Sequence, residues 1–166
     1  MAPSPQGEAR SFAYSADARA RFLILGSMPG AESLRQQQYY AFKHNAFWRI
    51  MGELYGFSPD LPYPERLAEL RRHGVALWDV LAECERPGSL DSSIRAPRPN
   101  DIAGLVRKLP HLEKIPCNGG AARNYLRRFF PELDAQQLPS TSPAAARFSY
   151  AEKLAAWRAA LEPTRR

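Results

Sequence analysis

The run Phe22-Leu23-Ile24-Leu25 constrains this chain more than any other stretch. It is unbroken, apolar and ended by Gly26, the pattern of a strand covered on both faces in the middle of an α/β sheet. In the turn that follows, Gly26-Ser27-Met28-Pro29-Gly30, the glycines allow close backbone approach and the proline removes one donor. Such a turn places free amides outside the carboxyl end of the strand, where open α/β sheets bind ligands. It is not a dinucleotide fingerprint, which needs a third glycine at fixed spacing, nor a phosphate loop, which needs Gly-Lys-Ser/Thr.

Downstream, Phe47, Ile50, Met51, Leu54 and Tyr55 form one face of a helix that Gly56 closes. Tyr63, Leu67 and Leu70 mark a second helix, ended by Gly74. Val75 to Leu81 reads as a strand interrupted by Asp79, and Glu83 to Asn100, with Pro87, Gly88, Pro97 and Pro99, as a long structureless loop of the functional kind. A helix starts at Pro99-Asn100-Asp101, a third strand spans Leu112 to Cys117, and a helix after Asn118 buries Ala122, Tyr125, Leu126 and Phe129. Gln136 to Leu138 is a last short strand, and Ser149 with Glu152 is a capping box for a final helix packed through Leu154, Trp157 and Leu161.

Alternating strands and helices predict an α/β fold: a single-domain, three-layer α/β/α sandwich on a central, mostly parallel four-stranded sheet. Residues 1–20 read as a partly disordered tail and residues 21–162 as the domain. Ser27 and Met28, Asp79, Asn118, and Ser140 to Ser142 then each follow a strand and share one rim of the sheet.

The 166 residues carry a net charge of +6, mostly through arginine, which favours encounter with polyanions such as nucleic acid. Cys84 and Cys117 lack CxxC spacing and His44, His73 and His111 are scattered, so neither a disulfide framework nor a zinc site is expected. Charged residues interrupt any apolar leader, and the expected compartment is cytoplasmic, in association with the nucleoid, without a membrane partner.

The turn Gly26 to Gly30, then Tyr39-Tyr40-Ala41, then Asn45-Ala46-Phe47-Trp48, resembles the hypoxanthine-DNA glycosylase family of the uracil-DNA glycosylase superfamily. The likeness continues in the family's order through Gly74 to Asp79, Asp91 to Ile94, Pro99 to Asp101, Asn118 to Ala122 and Leu138 to Ala144. It implies a DNA repair enzyme that hydrolyses the N-glycosidic bond of a flipped, deaminated base, foremost hypoxanthine. No metal, organic cofactor or lyase chemistry is implied, and the expected state is a monomer on duplex DNA, with single-stranded DNA as the alternative.

The resemblance implies the individual roles as well. Asn45 stands where the family places its critical residue and would hold the attacking water; an Asn just before an amphipathic helix is equally a favoured N-cap. Uracil-directed relatives carry Asp or Asn at the position of Met28, and methionine cannot handle water, which moves that role to Asn45. Asp79 matches the superfamily's base-reading position, accepting from N1–H of hypoxanthine while an amide of the Ser27 to Gly30 turn meets O6; the other reading is a carboxylate satisfied locally. Tyr40 is the aromatic for base stacking, with Tyr39 as the alternative. Ser140, Thr141 and Ser142 match the second motif, with Ser140 in place of the usual His. That leaves leaving-group stabilisation weaker or supplied from elsewhere. These hydroxyls and Arg147 would contact phosphate; Asn118-Gly119-Gly120 is either a helix entry whose amides face phosphate or simply a tight strand-to-helix turn, Lys43 is a further phosphate contact, and Asp91-Ser92-Ser93 would line the DNA side. Still open are a uracil or mismatched-thymine glycosylase, a non-catalytic nucleic-acid binder on the same fold, and a hydrolase of free nucleosides.

Overall fold

The computed structural model describes residues 8–162. The strand expected at its centre, β2 (Phe22–Gly26), is buried at every residue. It pairs in parallel with β3 (Val75–Asp79) on one side and β6 (Ile115–Asn118) on the other, and β7 (Ala135–Leu138) extends the sheet in the order β3-β2-β6-β7.

The pleat sends alternate residues to opposite faces. Phe22 and Ile24 pack with Phe47, Ile50, Met51, Leu70 and Trp157, from helices α2 (Phe47–Tyr55), α3 (Tyr63–Arg72) and α6 (Tyr150–Ala160). Leu23 and Leu25 pack with Leu34, Ile102, Leu105, Ala122 and Leu126, from α1 (Ala31–Gln36), α4 (Ile102–Arg107) and α5 (Gly120–Phe129). The three-layer α/β/α architecture therefore stands, with helix boundaries where the local chemistry sets them. Gly56 closes α2 at a φ of 76°, Asp101 caps α4 by accepting from the Gly104 amide, and the Ser149–Glu152 capping box opens α6.

Two expectations are corrected. The apolar run after Gly74 is not one strand: β3 ends at Asp79, and β4 (Leu81–Glu85) belongs to a second sheet. The Asn100 side-chain amide fixes that break, donating to the carbonyls of Asp79 at 2.9 Å and Leu81 at 3.2 Å. The stretch expected as a structureless loop is the rest of this sheet, in which β5 (Arg95–Pro99) pairs antiparallel with β4. Its prolines hid the strand, yet an edge strand tolerates residues that cannot donate. Irregular register and the Arg98–Glu83 ion pair at 2.9 Å accompany the pairing.

Residues 1–7 of the expected tail lie outside the described residues, and from Glu8 the chain is tied in. Strand β1 (Glu8–Arg10) pairs with β4, Ser15 bridges to Leu77, and Trp78 Nε1 donates to the Phe12 carbonyl at 2.9 Å. The short α1 falls within what reads in sequence as loop, and β6 is shorter than expected. Among the described residues no helix is long and apolar enough to cross a membrane.

At Gly52 a Cβ would stand 2.5 Å from the Phe57 carbonyl oxygen, a backbone atom that cannot swing away. The usual gain of up to ~1 kcal/mol for Gly to Ala in a helix is outweighed by an overpacking cost of about 1–3 kcal/mol. Gly52→Ala therefore lowers the urea midpoint; an unchanged or higher midpoint would show that the chain after α2 relaxes freely.

Candidate active site

The carboxyl ends of β3, β2, β6 and β7 lie side by side, and the polar residues that follow them line a cavity of about 550 Å³. Ser27, Met28, Tyr40, Asn45, Asp79, Asn118, Ser140, Thr141 and Ser142 all line it. The shared rim expected from the sequence is thus present, closed on a further side by Ser89, Leu90 and Asp91 from the tip of the β4–β5 hairpin.

Asp79 closes β3 directly beside Gly26 of β2. A Cβ on Gly26 would lie 2.4 Å from Asp79 Oδ1 and 3.0 Å from the Tyr40 hydroxyl, so the missing side chain makes room for both groups. Asp79 is 3% exposed, and Oδ2 has no hydrogen-bond partner among the described residues. Burial, and secondarily the Asp91 carboxylate, push its pKa up to about 7 against a smaller opposing pull from Arg86. No local donor satisfies that oxygen, as the structural reading of Asp79 would require.

The turn after β2 is sewn to the hairpin tip. Ser27 Oγ donates to Asp91 Oδ1 at 2.6 Å, Ser89 Oγ accepts from the Ala31 amide at 2.8 Å, and the buried Arg86 guanidinium donates to the Pro29 carbonyl. The amides of Met28 and Gly30 have no acceptor among the described residues and remain available to a ligand. Met28 is 7% exposed, packed in the core while also lining the cavity.

Both tyrosine candidates line the cavity, and their other contacts differ. Tyr39 is structural: it is 4% exposed, its hydroxyl donates to the Ala13 carbonyl, and its own carbonyl accepts from Trp48 Nε1. Tyr40 lines the cavity with one ring face on Phe47, centroids 4.1 Å apart, at a left-handed φ of 55° that tyrosine rarely adopts. Phe47 and Trp48 are core.

Asn45 combines a bond at the helix start with a place at the cavity, although the N-cap itself is Ala46, without a side-chain cap. Its Oδ1 accepts from the Phe47 amide at 2.9 Å at the start of α2, and the residue also lines the cavity. The two are compatible, since a carbonyl oxygen has a second lone pair and the side-chain NH₂ is not engaged by any described residue.

The second-motif residues divide. Thr141 is 1% exposed and exchanges two hydrogen bonds with the Asn118 side chain, Asn118 Nδ2 to Thr141 Oγ1 at 3.0 Å and the Thr141 amide to Asn118 Oδ1 at 2.9 Å. The Thr141 hydroxyl, expected at phosphate, is engaged by Asn118, and both residues line the cavity. Gly119, at a φ of 94°, comes so close to Ser140 that a Cβ would sit 3.1 Å from the Ser140 Cβ. The Ala46 amide donates to the Thr141 carbonyl at 2.9 Å, joining the Asn45 segment to this loop. Arg147 and Lys43 are exposed and outside the cavity lining.

Sequence reasoning missed Arg86, Ser89 and Leu90, which lie in the stretch read as loop, and Lys153, 5% exposed on α6 with its ammonium 3.1 Å from the Ser142 carbonyl oxygen. A lone charge among apolar helix positions was the only available signal for the last.

A parallel sheet with its cavity at the carboxyl edge, read by a carboxylate, amides and a stacked tyrosine, defines a site for a planar, hydrogen-bonding heterocycle. The family model described as the uracil DNA glycosylase superfamily matches residues 12–162, and the chain belongs to that superfamily. It is 40% identical over 144 residues, 84% of this chain and 90% of the relative, to a hypoxanthine DNA glycosylase of Methanosarcina acetivorans. A hypoxanthine DNA glycosylase of Methanosarcina barkeri is 36% identical over 66% of this chain and 70% of its own length. The solution NMR structure of a Methanosarcina acetivorans protein described as a candidate uracil DNA glycosylase superposes with a TM-score of 0.80 at 38% identity, over 93% of this chain and 96% of that one.

The raised pKa of Asp79 has a thermodynamic consequence. The folded state binds its proton more tightly than the unfolded chain, so ionisation costs stability as pH rises from the unfolded value near 3.8 toward about 7, and the cost is constant above that. Asp79→Asn removes the charge and raises Tm most above pH 7, with the gain fading as pH falls toward 4. A Tm difference that does not vary with pH would mean that the carboxylate is well solvated.

Proposed function

We propose that this protein releases hypoxanthine from deoxyinosine in DNA by hydrolysis of the N-glycosidic bond. The chain is a DNA glycosylase of the uracil DNA glycosylase superfamily, and a base that offers a ring N–H is supported by Asp79, a buried carboxylate at the cavity wall whose Oδ2 has no hydrogen-bond partner among the described residues. Ionised, it accepts the N1–H of hypoxanthine while the Met28 or Gly30 amide donates to O6. Adenine has no N1 proton and would set acceptor against acceptor. Uracil offers an N3–H to the same oxygen, so Asp79 by itself does not separate the two lesions. Tyr40 supplies the free ring face for the extruded base, a contact of about 1–3 kcal/mol in other systems.

Asn45 holds the water that attacks the sugar. Its oxygen is oriented by the Phe47 amide and its NH₂ is unengaged, but it cannot take a proton at neutral pH, so it positions rather than acts as a base. As the bond breaks, negative charge grows on the leaving base, and amides already aimed at O6 stabilise it without reorganising. Ser140 and Ser142 face the DNA backbone, with Arg147 and Lys43 outside them; Asn118 and Thr141 shape that loop from behind.

Duplex DNA is the favoured substrate because two of the large apolar side chains left exposed among the described residues, Leu90 at 61% and Phe42 at 45%, also line the cavity. Apolar side chains inserted into a base step hold a duplex open, and a flipped nucleotide leaves such a gap. The enzyme works as a monomer in the cytoplasm, at the nucleoid.

Base release is measured from oligonucleotides carrying one deoxyinosine or one deoxyuridine, with alkaline cleavage of the abasic site as readout. The wild type releases hypoxanthine, and Asn45→Ala lowers the single-turnover rate at least ~100-fold while losing only about 1 kcal/mol of stability with the cap. Release of uracil alone would change the substrate; an unaffected rate in the variant would leave Asn45 as a cap. In the same assay Leu90→Ala slows release from duplex several-fold and leaves single-stranded release unchanged, and equal loss on both would remove the wedge.

A further inference from the structure

The residues after β7 that line the cavity, Ser140 to Ala145, carry no charged side chain, and Arg147, further along the loop, is exposed outside the lining. Behind the loop lies helix α6, which grips it at two points one helical turn apart: Trp157 Nε1 donates to the Pro139 carbonyl at 3.0 Å, and Lys153 Nζ donates to the Ser142 carbonyl at 3.1 Å. The tryptophan shows that a neutral donor suffices to hold such a carbonyl. A lysine in the equivalent place, 5% exposed, brings a charge that bracing does not need.

That charge has no counter-ion among the described residues. No carboxylate lies within 4.0 Å of Lys153 among the described residues, and burial lowers its pKa with no opposing acid. Enclosing an ammonium without a carboxylate costs stability, and a positive charge directly behind a loop that lines the cavity attracts an anion on the other side. The hydroxyls of Ser140 and Ser142 line that cavity from the same loop.

We infer that Lys153 is the cation of the second motif, acting through the Ser140–Ser142 loop as an electrostatic positioning residue for a DNA phosphate seated on it. The charge reaches the site from α6, behind the loop, instead of from a side chain within it. This rests on the glycosylase reading for the identity of the polyanion, and its test does not need catalysis.

Binding of a duplex with one deoxyinosine is measured against salt concentration for wild type, Lys153→Met and Lys153→Gln, with thermal melts alongside. Methionine removes both the charge and the hydrogen bond, whereas glutamine removes the charge and keeps a donor for the Ser142 carbonyl, so one readable variant survives if the other fails to fold. Both neutral variants should bind several-fold more weakly at low salt. Their slope of log affinity against log salt should be shallower by up to ~0.9, the value for one phosphate neutralised, without a matching fall in Tm. Wild-type slope and affinity in Lys153→Gln would overturn the inference and leave Lys153 as a brace. Salt-sensitive binding by a wild type that releases no base would overturn the glycosylase reading alone, with Lys153 still judged by its slope. No DNA binding by the wild type would overturn both.

Discussion

The last rung of the β2–β3 ladder is the constraint on which the site depends. Gly26 and Asp79 are paired there, and the absence of a side chain on the first gives the carboxylate of the second its space. Parallel pairing brings both strands to the same edge, so the turn after Gly26 and the carboxylate of Asp79 face one ligand. Because that corner is enclosed, an ionised Asp79 is expensive until a donor arrives. In the proposed reading a base presenting an N–H is such a donor, which makes recognition and relief of a buried charge the same event.

The second sheet serves this corner. With the chain turned out of the central sheet after Asp79 and held there by Asn100, β4 and β5 form a hairpin whose tip returns to the turn after β2. Ser27, Pro29 and Ala31 are each bonded to it. Turn and hairpin tip therefore support each other, and the cavity wall is a paired structure in place of a loose loop.

The opposite wall is held from behind. The Asn118–Thr141 pair ties the end of β6 to the loop after β7, and Trp157 and Lys153 tie that loop to α6. The Asn45 segment joins it through the Ala46 amide. Site residues separated widely in sequence are thereby fixed to each other by hydrogen bonds, the rigidity that positioning catalysis requires.

Much of this was legible in the chain because it is local. The apolar run of β2, the helical spacing of Phe47 to Tyr55, the left-handed closure at Gly56 and the Ser149–Glu152 box each follow from neighbouring residues, and the strand-end placement of Ser27, Asp79, Asn118 and Ser140 follows from the alternation of elements. What the tertiary structure decided is whatever depends on a distant partner. Val75 to Glu85 reads as a strand running into a loop because hydropathy does not record that Asn100 turns the chain into a second sheet. Tyr39 and Tyr40 are the same residue side by side, and only packing ties the hydroxyl of the first to the Ala13 carbonyl and stacks the ring of the second on Phe47. Thr141 reads as a phosphate contact until Asn118 engages it, and Lys153, which nothing in the sequence singles out, gains its place only when α6 docks beneath the loop. Residue type and spacing determine which groups the chain can offer; long-range pairing decides which of them are already engaged and which remain free for a ligand.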